Sequence, residues 1–279
     1  MKIRVIDYQS KNAPADFTAA LKEIGFAVVS HHPVPQHLID QTYHVWNEFF
    51  KSDQKNDFAF DRKTHDGYVS KELSETAKGH KIKDIKEFYH FYLAGRCPDS
   101  CRVVTTQLFN SLTTMASTLL AWVDENSPAD VRAKFSMPLS DMIENCHYTM
   151  LRLIHYPPLT GNESKGALRS AAHEDINLLT LLPAATAGGL QVKDANDNWL
   201  DVPINPNWII VNVADMLQEC SGHYYPSTSH RVLNPIGEDA KKSRLSMPLF
   251  LHPRDDVILS ARHTGASYRE ERYAEIGLK

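Results

Sequence analysis

Between residues 148 and 253 the chain is a succession of short apolar runs broken by turn-forming residues, and no long helical period intervenes. The runs fall at 148–156, 170–175, 178–182, 190–192, 199–202, 208–213, 224–231 and 245–252. Pro157-Pro158, Gly188-Gly189, the polar stretch 194–198 and Asn205-Pro206-Asn207 separate several of them, and these residue types supply the backbone angles that tight turns need. Parallel strands require long crossover connections, usually helical, so this texture excludes a doubly wound α/β sheet. It predicts an antiparallel sandwich or jelly roll.

The first half reads differently. A strand is predicted over 3–6 and a helix over 15–24, with Phe17, Leu21 and Ile24 on one side and Gly25 ending it; 26–29 reads as a buried strand. After Pro35, Leu38, Ile39, Trp46, Phe49 and Phe50 lie on one helical stripe, and Leu108, Leu112, Met115, Leu119, Trp122 and Val123 mark a longer helix over 103–123 that supports a core. Residues 51–80 are polar and without a hydrophobic period apart from Gly67-Tyr68-Val69, which fits either a flap over a site or solvated surface. The mostly helical region 1–125 needs something to bury its apolar faces, and a sheet over 148–253 needs its outer face covered. The expectation is a mainly β fold with α, one interlocked domain over 1–279 with N-terminal helices packed outside a jelly-roll core.

A net charge of −4 and the absence of a basic stripe interleaved with aromatics give no reason to expect nucleic acid. No run approaches the roughly 18 apolar residues of a membrane span, and MKIRVIDYQSK lacks the apolar centre of a signal peptide. The expectation is a cytoplasmic protein with a small-molecule partner and no membrane; the sequence carries no signature of oligomeric state. Cys97 and Cys101 could form half a zinc site, but no second pair follows at suitable spacing, so Cys97, Cys101, Cys146 and Cys220 read as reduced thiols.

With 14 histidines, no single one is informative. His173-Glu174-Asp175 is more so: on a strand, His173 and Asp175 leave one face and Glu174 the other. If His230 reaches the same point, the set is two imidazoles and one carboxylate, which holds ferrous iron and leaves the opposite positions open. Arg244-Leu245-Ser246 is another i, i+2 pair. A guanidinium fork and a hydroxyl on one face suit the distal carboxylate of a dicarboxylic co-substrate; a surface arginine ending a strand is the bland alternative.

In this order, H-x-D, a distal His and R-x-S, the chain resembles the iron- and 2-oxoglutarate-dependent dioxygenases, in particular their isopenicillin N synthase-like branch. The resemblance extends through Gly25-Phe26-Ala27-Val28, His32-x-Val34-Pro35, Phe49-Phe50, Gly67-Tyr68 and Lys83-Asp84-x-Lys86-Glu87. It continues in Tyr156-Pro157-Pro158, Leu179-Thr180-Leu181-Leu182, Gly189-Leu190-Gln191-Val192, Asn212-x-x-Asp215, His230-Arg231-Val232 and Glu275-Ile276-Gly277-Leu278. The resemblance implies a double-stranded β-helix core, iron ligands His173, Asp175 and His230, and a 2-oxoglutarate seat made by Arg244, Ser246 and Tyr156. The implied cofactors are Fe(II), 2-oxoglutarate and O2, with ascorbate as a candidate reductant. The implied reaction is oxidation of a small metabolite by hydroxylation, desaturation or cyclisation. Glu174 stands where the family commonly has Thr, Asn177 where Gly is frequent, and Ala214 where Gly is usual; none of these removes a ligand.

Two further residues are candidates for the substrate side. Arg169 falls on the His173 side if that strand is regular, where it would meet an anionic substrate or serve as a rim charge. Phe250, on the Arg244-Ser246 face, offers an apolar wall or is simply core. An oxidase of the same fold that does without 2-oxoglutarate, and a non-catalytic ligand-binding jelly roll, are the alternative functions; the intact triad speaks against the second.

Overall fold

The structure is a computed structural model that describes residues 2–73 and 82–275. Its thirteen strands, among the described residues, form two sheets. The N-terminal part contributes β1 (Val5–Asp7), β2 (Phe26–Ser30), β3 (Gly67–Val69) and β4 (Glu87–Phe91), interleaved with helices α1 (Ala13–Ile24), α2 (Gln36–Lys51) and α3 (Asp99–Asn126), and the short α4 (Ala129–Arg132) follows. Then come β5 (Met150–Tyr156), β6 (Ser170–His173), β7 (Leu179–Pro183), β8 (Leu190–Lys193), β9 (Trp199–Asp201) and β10 (Ile209–Val213). The rest is α5 (Asp215–Cys220), β11 (His230–Val232), β12 (Arg244–Ser246), β13 (Leu249–Leu251) and α6 (Gly265–Glu275).

The larger sheet runs β1-β2-β10-β7-β13-β5-β4-β3, with β12 also pairing with β5; the smaller runs β6-β11-β8-β9. β1 pairs with β2 in parallel, and the remaining pairs are antiparallel. The inner faces of the two sheets meet in one apolar cluster, where Phe26, Val28, Ile154, Tyr156 and Ile210 of the larger sheet pack against Leu190, Val192 and Val232 of the smaller. The outer face of the larger sheet buries Leu151, Leu153, Leu179, Leu181, Ile209 and Val211 against Phe17, Leu21, Trp46, Leu112, Met115 and Leu119 of the helices. This is a jelly roll backed by α1–α3, and strands from the N-terminal part complete its larger sheet.

Gly25 is required where α1 turns into β2. Its φ of +69° is left-handed, and a Cβ there would lie 2.2 Å from the Pro226 carbonyl oxygen and 2.6 Å from Thr228 Oγ1. Thr228 Oγ1 donates to the Ile24 carbonyl at 2.8 Å, and Phe26 then meets the His230 ring edge-on at a centroid distance of 5.5 Å.

Several sequence expectations are corrected. Residues 224–231 form a strand only at β11, because Gly222 and His223 both take positive φ and the Ser227 amide is held by Gln218 Oε1 instead of by a neighbouring strand. The run over 245–252 is two strands: Pro248 has no N–H, and its carbonyl accepts from the Arg152 amide. Helix 103–123 extends over Asp99–Asn126, and β3, β4, α5 and α6 are additional.

In the described part of 51–80 a short helical turn over Asp53–Phe58 is without buried residues, whereas Asp66 and β3 are buried, and the Asp66 carboxylate binds both the amide and the guanidinium of Arg96. Residues 74–80 of the flap region and Ile276-Gly277-Leu278 of the closing motif lie outside the described residues. Among the described residues, no helix is long and apolar enough to cross a membrane. All four cysteines are free thiols.

Candidate active site

His173 ends β6 and is the register partner of His230 on β11, so the hydrogen-bonding of the smaller sheet sets the two imidazoles side by side, with ring centroids 4.4 Å apart. Each ring's Nδ1 faces the carbonyl two residues back: His173 to Ala171 at 2.8 Å and His230 to Thr228 at 3.2 Å. A carbonyl only accepts, so both nitrogens are Nδ1–H, and both Nε2 lone pairs are turned inward.

Asp175 comes to the same point, though not by strand alternation, since β6 stops at His173. The turn after it is fastened by the start of α5: the amides of Ala214, Asp215 and Met216 donate to the carbonyls of Leu178, Asp175 and Asn177. Asp175 Oδ2 accepts from Thr180 Oγ1 at 2.6 Å and Asn212 Nδ2 at 2.9 Å, which leaves Oδ1 facing the histidines, 3.9 Å from His173 Nε2 and 3.7 Å from His230 Nε2. All three donor atoms lie within 4.8 Å of one another, and one metal ion fits among them.

Desolvation pulls the His173 pKa down and His230 lowers it further, against the attraction of Asp175. Burial works to raise the Asp175 pKa, but His230, His173, Thr180 and Asn212 outweigh it and hold the carboxylate ionised. Neutral imidazoles around an ionised carboxylate are the protonation states a divalent cation needs.

Asn177 and Glu174 divide clearly. Asn177 is fully buried and donates to the Leu179 carbonyl and to Thr180 Oγ1, so it sets the hydroxyl that holds Asp175. Glu174 is exposed. On the other flank, Asp84 Oδ1 accepts from the Ala171 amide at 2.9 Å while its Oδ2 pairs with Lys86 at 2.7 Å, a buried ion pair bracing β6 just before His173.

The register of β12 on β5 puts Arg244 opposite Tyr156 and Ser246 opposite Ile154. Arg244 is 2% exposed; Nε donates to the Ala187 carbonyl, the guanidinium carbon lies 5.0 Å from the Tyr156 ring centre, and Nη1 is buried with no hydrogen-bond partner. An orphaned, charged donor in such a place fits an anionic ligand. Arg169 lies in this same neighbourhood, with its guanidinium carbon 5.9 Å from the Tyr156 ring centre.

Phe250 is at the other end. It pairs with Thr180 and Met150 in register, and Thr180 pairs with Asn212, so Phe250 shares a face with the two side chains that hold Asp175. The Arg152 guanidinium carbon lies 5.4 Å from the Phe250 ring centre and 4.6 Å from that of Phe88.

Thr180, Asn212 and Arg152 were not assigned roles from the sequence. The available signal was a polar side chain inside an apolar strand, Thr180 in β7 and Asn212 in β10, which must find a partner when buried.

Two family models match the chain: the 2OG-Fe(II) oxygenase superfamily over residues 147–253, and the N-terminal region of non-haem dioxygenases described from morphine synthesis over residues 3–103. A solved structure of an oxygenase from Shewanella oneidensis is 49% identical, covers 100% of both chains and superposes with a TM-score of 0.91. A structure of JOX2 in complex with 2OG, Fe and JA is 25% identical with a TM-score of 0.78, covering 97% of this chain and 85% of that one. Jasmonate-induced oxygenase 3 of Arabidopsis thaliana is 29% identical over 257 residues, 87% of this chain and 67% of its own length. Enzymes of this kind require Fe(II), 2-oxoglutarate and O2 and act on small molecules. The chain belongs to the 2-oxoglutarate- and iron(II)-dependent oxygenase superfamily.

Proposed function

We propose that this oxygenase holds iron through His173 Nε2, Asp175 Oδ1 and His230 Nε2, and that Arg244, Ser246 and Tyr156 seat the distal carboxylate of 2-oxoglutarate. The observation that carries the ligand assignment is the convergence of the three donors, each with its other polar atom already engaged. The buried, unpartnered Arg244 Nη1 supports the co-substrate seat and favours this reading over an oxidase that does without 2-oxoglutarate. When bound, iron with 2-oxoglutarate and O2 supplies the oxidising power, and the co-substrate leaves as succinate and carbon dioxide. The chain itself fixes the donors and orients the carboxylate.

The substrate is a small molecule standing against Phe250. The donors lie between two sheets at the end of β6, which suits a metabolite and not a nucleic acid, and the chain acts as one interlocked domain in the cytoplasm, apart from membranes. The test is a screen of small metabolites for stimulation of 2-oxoglutarate turnover, with Fe(II) and ascorbate present. Stimulation that disappears in Asp175→Ala and falls in Phe250→Ala is expected; turnover undiminished in Asp175→Ala would refute the ligand assignment.

A further inference from the structure

We propose that Arg169 is a second cation of the 2-oxoglutarate seat, a specificity-determining residue that acts with Arg244 on the distal carboxylate and selects dicarboxylic over monocarboxylic 2-oxo acids. The inference rests on the assignment of that carboxylate to Arg244. Arg169 is 2% exposed, yet its guanidinium has a single hydrogen bond, from Nη2 to the Lys242 carbonyl at 2.9 Å, and its Nε is buried without a partner. The backbone amide of Arg169 donates to Asn234 Oδ1 at 2.8 Å, so the chain is pinned at the point where the side chain turns in.

Arg169 and Arg244 both approach the Tyr156 ring, at 5.9 Å and 5.0 Å. The groups that act on the charge of Arg169 are Arg244, of like sign, and the Tyr156 hydroxyl; no carboxylate is among them. Two guanidinium ions do not give up their protons at neutral pH, and burying both side by side is unfavourable unless an anion is shared between them. Arg244, with its own buried orphan donor, is the proposed contact of that anion, and Arg169 approaches the same phenol. A cavity of about 540 Å³, whose polar lining is Arg169, Thr186, Asn234, Asp239, Lys242 and Ser243, opens beside it, and the Asp239 carboxylate there is paired with Lys242 at 2.9 Å.

The test compares two ligands that differ only in the distal group, 2-oxoglutarate and 2-oxopentanoate, bound anaerobically to the iron-loaded protein and followed by calorimetry. Arg169→Gln and Arg169→Met are prepared in parallel with Arg169→Lys and Arg244→Met. The wild type is expected to bind 2-oxoglutarate more tightly. The neutral Arg169 variants are expected to reduce that preference by about tenfold or more, the size of one lost charge-assisted contact, with iron affinity unchanged. Arg169→Lys is expected to keep most of it.

Equal weakening of both ligands, an unchanged preference, or failure of both neutral variants to fold would each overturn the proposal in favour of a structural arginine. If Arg244→Met also leaves the preference intact, the underlying seat assignment is wrong. If Arg244→Met removes it while the Arg169 variants do not, only the role of Arg169 fails.

Discussion

Asp175 divides its two oxygens between tasks, and the division explains residues that looked unusual. Oδ2 is held by Thr180 and Asn212, and Asn177 holds Thr180, so the buried Asn177 is part of the support of the proposed metal ligand. Thr180→Val removes the shorter of the two bonds while keeping the shape of the side chain. Iron affinity in an anaerobic titration is expected to fall about tenfold or more, the usual cost of losing a partner behind a ligand; an unchanged affinity would mean Asn212 alone fixes the carboxylate. At this scale the sequence was legible where spacing foretold proximity: His173, Asp175 and His230 were singled out from their order and spacing, and their donor atoms converge. Thr180 and Asn212 were not, because their function is defined by a contact 5 or 37 residues away that only the folded chain reveals.

Two junctions between elements carry consequences for stability. Gly25 joins α1 to β2 in a left-handed conformation with the Pro226 carbonyl against it, so Gly25→Ala adds both strain and a clash. A loss of at least about 2 kcal/mol in chemical denaturation is expected, together with weaker iron binding, since the same loop leads into His230. Stability within about 0.5 kcal/mol of wild type would show that the loop gives way freely. The second junction is Glu87 on β4, which accepts from His155 Nδ1 on β5 at 2.7 Å, from Tyr68 of β3 and from Lys55 after α2 at 3.2 Å.

Burial works to raise the Glu87 pKa, but His155, Tyr68 and Lys55 together bring it from 4.5 down to about 2. A carboxyl whose folded pKa is depressed contributes stability above its unfolded value and loses it as pH falls through the folded one. Glu87→Gln is therefore expected to cost about 3 kcal/mol at neutral pH, with the gap to wild type narrowing as pH falls from about 4.5 towards 2. A gap that stays constant over that range would show that hydrogen bonding and not charge accounts for it.

Element existence was readable from period and turn residues for most of the strands from β5 onward and for all three long helices. β4 escaped because its outward and inward residues are both buried, so Glu87–Phe91 shows no alternation. The run over 224–231 was overread because its apolar and aromatic residues serve a packed turn.

At the scale of the whole molecule, two sheets enclose an apolar interior, with the metal donors and Phe250 towards one end and the Arg244, Arg169 and Tyr156 group at the other. Arg169 shows where parity reasoning stops: β11 and β6 slip register between His230 and Val232, and the guanidinium carbon lies 5.9 Å from the Tyr156 ring centre. We propose that the interior between the two sheets holds iron at His173, Asp175 and His230 and a 2-oxo acid reaching back to Arg244. The most direct test is anaerobic titration of 2-oxoglutarate into the Fe(II)-loaded protein, followed by the weak visible charge-transfer band of the chelate. The account expects the band in the wild type, its loss with the iron in His230→Ala, and its appearance only at much higher 2-oxoglutarate in Arg244→Met. Iron bound at full affinity by His230→Ala, or a wild-type protein that binds iron and shows no band at saturating 2-oxoglutarate, would contradict it.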